Sequence, residues 1–269
     1  MSDRVTVKVE GGVADVRLSR PDKMNALDQP MFEALVATGR ALARESSVRA
    51  IVLSGEGRGF SAGLDFMSFL AMGSSGGDRP TGSLLQREEG RIANFAQSAG
   101  WVWTEIPQPV IAAVHGVAYC GGLQIALGAD VRIVAPDAKL SVMEIKWGLV
   151  PDMSGTQTLR HLVRLDVAKE LTFTGRVVSG EEAVGIGLAT RTAADPHAAA
   201  MEMAREIAGK SPEAIRSSKR LLNEAWVGSP ADGLALEAEL QTAILGRPNQ
   251  LEAVAANMEK RAPRFRDPS

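Results

Sequence analysis

Two short apolar runs, 48–53 and 109–114, constrain this chain most, because each leads into a turn of small residues. A run of this length with apolar side chains on both alternating positions reads as a strand covered on both faces. Residues 131–134 read as another strand, and 121–127 between them as a short helix. Upstream, Val5, Val7 and Val9 alternate with polar residues, Gly11-Gly12 marks a turn, and 13–18 alternates again, which predicts a hairpin with a half-buried first strand. Asp28 stands where a helix cap belongs, with Pro30 near the first turn and Phe32, Leu35, Val36 and Leu42 on one face. A further helix is expected over 92–104. Strands thus alternate with helices to about residue 190, which is the pattern of an α/β fold.

From Asp195 onward the pattern is helical only. Pro196, Pro212, Pro230 and Pro248 punctuate four segments and stand near their expected starts. The chain therefore divides into a core, 1–195, and a C-terminal helical module, 196–269. Residues 72–83 are rich in Gly, Ser and Pro and read as a mobile surface loop.

Charge and composition exclude several functions. With 30 basic and 32 acidic residues the formal net charge is −2, so no excess charge draws the chain to nucleic acid or an anionic membrane. Cys120 is the single cysteine, which forbids an intrachain disulfide and points to a reducing compartment. His115, His161 and His197 lie far apart, and no pair has zinc-ligand spacing, so no metal site is expected. There is no signal-peptide core at the N-terminus and no apolar run long enough to span a bilayer, and a cytoplasmic protein is expected.

Three motifs tempt and fail. Residues 57–62 fit G-x-G-x-x-A, but a Gly/Ser loop soon follows where a dinucleotide site needs a helix and then an acid at a second strand. Residues 59–63 fit G-x-S-x-G around Ser61, but a loose turn separates the strand from the serine and no partner segment precedes it. Gly209-Lys210-Ser211 ends like a phosphate loop, but Ala204 stands where the first glycine belongs, and a helix C-terminus is the better reading.

Two turns remain, Phe60-Ser61-Ala62-Gly63-Leu64-Asp65 and the stretch His115 to Gly122. Small residues let backbone N–H groups approach a ligand, and two such groups from separate turns can form an oxyanion hole. Together with Arg20 to Leu27, 111–134, 140–159, 171–176 and 258–265, these turns resemble the crotonase (enoyl-CoA hydratase/isomerase) superfamily over nearly the whole chain. The resemblance implies a spiral of ββα units in two sheets, followed by C-terminal helices used in trimer contacts, as a homotrimer or dimer of trimers. It implies an acyl-CoA substrate whose CoA lies along Lys23, Met24 and Ala26 and along Ser61, Gly63, Leu64 and Asp65. It also implies an oxyanion hole from the N–H groups of Ala62 and Gly121, and no cofactor, because coenzyme A is part of the substrate.

The carboxylates decide the reaction. Hydratases of this superfamily use two glutamates. Here the second position is Glu144, but the first is Gln124, which can hydrogen-bond, and is expected among the substrate-binding residues, but cannot exchange a proton. A double-bond isomerase needs one base, and Glu144 alone suffices for that if burial raises its pKa. Asp152 is similar to the second acid of dienoyl-CoA isomerases, although those enzymes also keep an aspartate where Gln124 stands; otherwise it caps a helix beginning near Ser154. Glu144 could instead pair with Lys146 or Arg160 at the surface. The leading expectation is an isomerase with Glu144 as proton shuttle. The alternatives are a hydratase using Glu144 and Asp152, and a non-catalytic acyl-CoA-binding protein. The acyl pocket floor is expected from 66–91 and from Trp101, Trp103 and Trp147.

Overall fold

A computed structural model of the chain describes residues 3–68, 84–87 and 89–268. The loop expected at 72–83 lies outside the described residues, as does most of the 66–91 segment. The first hairpin forms as expected. β1 (Val5–Glu10) pairs antiparallel with β2 (Val13–Leu18), Glu10 facing Val13 across the Gly11-Gly12 turn. β1 is an edge strand, however, and Val7 and Val9 are exposed rather than half-buried. Charged Lys8 and Glu10 flank Val9, the kind of decoration that discourages an open edge from pairing with another chain.

α1 (Gln29–Arg44) begins where Asp28 accepts a hydrogen bond from the Met31 N–H, and it buries Phe32, Leu35, Val36 and Leu42. β3 (Ala50–Gly55) follows, and then α2 (Phe95–Glu105), which starts at a reciprocal Asn94–Gln97 capping box, three residues after the expected 92. Next come β4 (Val110–Val114), β5 (Val117–Tyr119), α3 (Gly121–Leu127), β6 (Val131–Val134) and β7 (Lys139–Ser141). One sheet has the order β1-β2-β3-β4-β6 and ends on β9 (Arg191–Thr192). The other is β5-β7 with β8 (Val178–Ser179). After the first hairpin, whose strands both lie in the first sheet, the next two strand pairs are divided: β4 and β6 go to the first sheet, β5 and β7 to the second. Two isolated bridges, Leu27–Leu64 and Ser61–Ala118, continue the second sheet through the first turn of interest. The strands and helices follow the two-sheet ββα succession expected from the sequence.

The central strands are buried at every position because the two faces of the large sheet serve different layers. Ile51, Leu53, Val110, Ala112 and Val114 face the main core, with Phe32, Trp103 and Leu123. Ala50, Val52, Ile111 and Ala113 face Ala200, Ala204 and Ala208 of α7 (Pro196–Ala208). Between β7 and α7 lie α4 (Gly155–Leu162), α5 (Leu165–Thr174) and α6 (Gly180–Gly185). The C-terminal module continues with α8 (Pro212–Ala225), α9 (Pro230–Ile244) and α10 (Pro248–Met258), and all four of its helices begin on the expected proline. Gly209 caps α7, as the helix-end reading of Gly209-Lys210-Ser211 requires.

A buried lysine ties this module to the core. Lys219 Nζ on α8 donates to the carbonyls of Trp103 and Gln108, each at 3.0 Å, and meets Asp130 Oδ2 at 2.8 Å. The tail is tied separately, by Arg49 just before β3, whose guanidinium reaches the Phe265 carbonyl and Asp267.

Candidate active site

The site is assembled from two backbone turns and a buried carboxylate. The first turn is fastened to the segment 20–28 by main-chain bonds. Ala62 N–H donates to Met24 O at 2.9 Å, Leu27 N–H to Gly63 O at 2.8 Å, and Asp65 N–H to Leu27 O at 3.0 Å. Met24 and Asn25 both adopt left-handed backbone angles, φ 48° and 54°. Such angles cost a side-chain-bearing residue roughly 1–2 kcal/mol each. Asn25 offsets this by sealing the loop. Its Nδ2 donates to the carbonyls of Glu56, Gly59 and Phe60, and its Oδ1 accepts from Arg20 N–H. Lys23 is exposed at the rim of this segment, with Met24 and Ala26 half-buried beside it.

The second turn lies directly against the first. Ser61 N–H donates to Val117 O, and Tyr119 N–H donates back to Ser61 O, both at 3.0 Å. Two glycines make the approach possible. A Cβ on Gly63 would fall 2.7 Å from the Tyr119 carbonyl, and one on Gly122 would fall 2.6 Å from Ser61 Cβ. Gly121 opens α3, so its N–H has no intrahelical acceptor.

Two side chains of the first turn serve the protein instead of a ligand. Ser61 is fully buried and its Oγ donates to Asn25 O at 2.8 Å, so it has no base and the nucleophile-elbow reading stays closed. Asp65 is expected to contact CoA, but its carboxylate is held by Arg20 Nη1 at 2.8 Å and by the Ser68 hydroxyl at 2.7 Å. Burial pushes the Asp65 carboxyl up, and the Ser68 and Arg20 bonds outweigh it and hold it below the usual range. The expected Ala62 donor is likewise engaged, on Met24 O. Among the described residues the Leu64 N–H meets no acceptor.

Glu144 begins a single helical turn after β7 and is 5% exposed, so it is not a surface partner of Lys146 or Arg160. Its Oε1 accepts from Gln124 Nε2 at 2.6 Å, and its Oε2 is buried without a partner among the described residues. Burial raises its pKa. A backbone hydrogen bond and the Gln124 bond work against that rise, and the charge of Asp152 adds to it. Gln124, on α3, is itself held: its Oε1 accepts from Met153 N–H at 2.9 Å and Gly155 N–H at 2.8 Å. Asp152 does not cap α4. The cap residue is Ser154, at φ 73°, and it makes no side-chain capping bond. Asp152 is open to solvent on one side, and desolvation on the other raises its carboxyl. Cys120 lies between the turns, and burial together with the Glu144 charge pushes its thiol up to about 12, so it is no nucleophile at neutral pH.

The aromatic residues separate into different roles. Trp103 belongs to the core, with Nε1 donating to Ala99 O, whereas Trp147 is half exposed and stacks on Phe66. Sequence reasoning missed this stack, the Asn25 seal, the Arg20–Asp65 pair and the Met153/Gly155 cradle. Only the small pair Ser154-Gly155 hinted at the last. Among the described residues no group of three or more His, Cys, Asp or Glu side chains could hold a metal, and no helix is long and apolar enough to cross a membrane.

The chain as a whole is similar to known proteins. The enoyl-CoA hydratase/isomerase family model matches residues 8–268. The chain is 33% identical to the enoyl-CoA hydratase domain-containing protein 2, mitochondrial, of Bos taurus over 264 residues, covering 94% of this chain and 84% of that one. It is 32% identical to the mitochondrial Delta(3,5)-Delta(2,4)-dienoyl-CoA isomerase of Mus musculus over 255 residues, covering 93% and 77%. The crystal structure of the enoyl-CoA hydratase from Bacillus anthracis superposes with a TM-score of 0.88 at 27% identity, covering 97% of this chain and 98% of that one. With a family match over nearly its whole length, and a fold and pair of turns to go with it, the chain belongs to the enoyl-CoA hydratase/isomerase (crotonase) family and is an enzyme of that family.

Proposed function

We propose that the chain moves a double bond along an enoyl-CoA thioester, with Glu144 carrying the proton. One observation carries this reading. Among the described residues Glu144 is the buried carboxylate that no cation answers, since the other buried acid, Asp28, is paired with Arg4 at 2.8 Å. Its neighbour on α3 is an amide and not a second acid. In the proposed step the Glu144 carboxylate takes a proton from a carbon of the bound acyl chain. The C–H electron pair moves into the conjugated system, and negative charge collects on the thioester oxygen. The carboxyl then returns the proton to another carbon, and the double bond has moved with no net gain or loss of atoms.

The oxyanion needs two donors. In this reading Gly121 N–H supplies one and Leu64 N–H the other, in place of the expected Ala62: among the described residues Ala62 N–H meets Met24 O, Gly63 N–H meets Ser61 Oγ, and Leu64 N–H meets no acceptor. Lys23, Met24 and Ala26, with the main chain of 61–65, form the lip along which CoA would lie. The substrate's own CoA is the only coenzyme the reading requires. Exposed Leu222, Trp226, Val227, Leu234 and Leu245 on and beside α8 and α9 support self-association, which we take to be a homotrimer or dimer of trimers in the cytoplasm.

A second reading, hydration, has its own observation: Asp152 lies close enough for its charge to raise Glu144, and its own carboxyl is raised as well. Glu144→Gln tests the first reading. It should lower turnover of 3-enoyl-CoA at least ~10²-fold and leave the Kd for a saturated acyl-CoA within about threefold, as loss of a proton-transfer group predicts. Turnover within tenfold of wild type would remove Glu144 from the mechanism.

A further inference from the structure

The Gln124 side chain is fixed at both ends. Its Oε1 receives two backbone N–H groups, from Met153 and Gly155, that converge because Ser154 between them is left-handed. A left-handed residue in a chain of otherwise ordinary ones can turn the N–H groups around it toward one acceptor. Flipping the amide would set an NH₂ against both N–H groups at hydrogen-bond distance, with only donors facing one another. The surroundings are cut to this amide. A Cβ on Gly155 would fall 2.7 Å from Gln124 Oε1, and one on Gly100 would fall 2.7 Å from Met153 O. The Nε2 group is therefore obliged to face Glu144, and it does so at 2.6 Å.

An NH₂ group offers hydrogens only, so the Glu144 oxygen it meets must present a lone pair. We propose that Gln124 is a positioning residue that commits Glu144 Oε1 to accepting and so assigns proton handling to Glu144 Oε2, an inference that rests on Glu144 being the base. Oε2 fits the assignment, being buried and without a partner among the described residues. Among the described residues the other titratable groups that feel Glu144 are Asp152 and Cys120, and neither is bonded to it. Residue 124 thus sets the proton affinity of the base as well as its aim. The amide bond favours the ionised form and opposes the rise that burial causes.

The test uses two variants and two readouts. Gln124→Glu keeps an oxygen for the Met153 and Gly155 N–H groups but sets a second carboxyl against Glu144, and the two must share a proton. Gln124→Met keeps the volume and removes the donor. Titration of Glu144 is followed by difference infrared spectroscopy of the carboxyl band, without substrate, and kcat/KM for 3-enoyl-CoA is followed against pH. In each variant that melts within a few degrees of wild type, the Glu144 midpoint should rise by about one pH unit or more. The acid limb of kcat/KM should rise with it, and kcat should fall at least ~10-fold with KM within threefold. Midpoint and acid limb both unmoved in a folded variant would overturn the proposal. A moved midpoint with full activity retained by Glu144→Gln would instead overturn the choice of Glu144 as base.

Discussion

Phe66 stacks on Trp147, with ring centroids 4.2 Å apart and planes 30° from parallel. Phe66 follows Asp65, and Trp147 closes the helical turn that Glu144 opens. The stack thus joins the proposed CoA lip to the element that carries the proposed base. An aromatic pair of this kind is worth about 0.5–1.5 kcal/mol beyond its buried area. Trp147→Ala should therefore lower kcat/KM by roughly 2–10-fold with little change in Tm. Steady-state kinetics beside a thermal melt checks this, and a large drop in Tm with unchanged kinetics would make the stack a purely structural contact.

The buried carboxylate should also declare itself in stability. Glu144 has a folded pKa raised above its unfolded value. Its contribution to stability is then fully present below the unfolded pKa, about 4.3, and is lost as pH rises through the higher folded value. Wherever it is ionised, the half-partnered carboxylate weakens the fold. Glu144→Gln should raise Tm at pH 8 by roughly 2–4 °C for each kcal/mol relieved, with the gain fading toward pH 4. Calorimetry at the two pH values reads this directly, and a lower Tm at pH 8 would contradict it. Catalysis runs the other way, since the base works ionised and kcat/KM should fall as pH drops through the same raised value.

Much of the fold was legible because its signals are local. The Asp28 cap, the Gly11-Gly12 hairpin and the four prolines that open α7 to α10 each act within a few residues, so sequence order alone reveals them. β5, β7, β8 and β9 are two or three residues long, too short for any periodicity to show. The residues of the proposed site are joined by contacts that run far along the chain. The left-handed turn at Met24 brings its carbonyl to the Ala62 N–H. Asp65 was spent on Arg20, 45 residues away, and Gln124 is held by N–H groups 29 and 31 residues away. Pairings at such separations depend on how the spiral closes, and no window of sequence contains them.

Asn25 holds the lip closed with bonds to four different backbone groups. Asn25→Ala leaves three buried carbonyls and one N–H unanswered, and should destabilise the chain by about 3 kcal/mol in urea denaturation. It should also raise KM for the thioester more than it lowers kcat, because the lip binds CoA and does not handle the proton. Loss of kcat with KM unchanged would place the segment in the chemistry instead.

Lys219 should be the most costly residue of the C-terminal module to lose. Burial lowers its pKa, Asp130 works against that, and the ammonium is answered by two carbonyls and a carboxylate. Lys219→Met keeps the stem but leaves the Trp103 and Gln108 carbonyls unanswered, which should cost about 2 kcal/mol. Urea unfolding should show an earlier midpoint, and unchanged stability would mean that α8 docks through apolar packing alone.

The central claim is the single proton shuttle at Glu144. It is tested most directly by mass spectrometry of the products formed in D₂O from 3-enoyl-CoA and from 2-enoyl-CoA, with wild type and with Glu144→Gln. The account predicts that wild type interconverts the two thioesters without adding the mass of water, with at most exchange of the shuttled proton, and that the variant does not. A water adduct formed from the 2-enoyl substrate by wild type, or isomerisation that survives in Glu144→Gln, would contradict it.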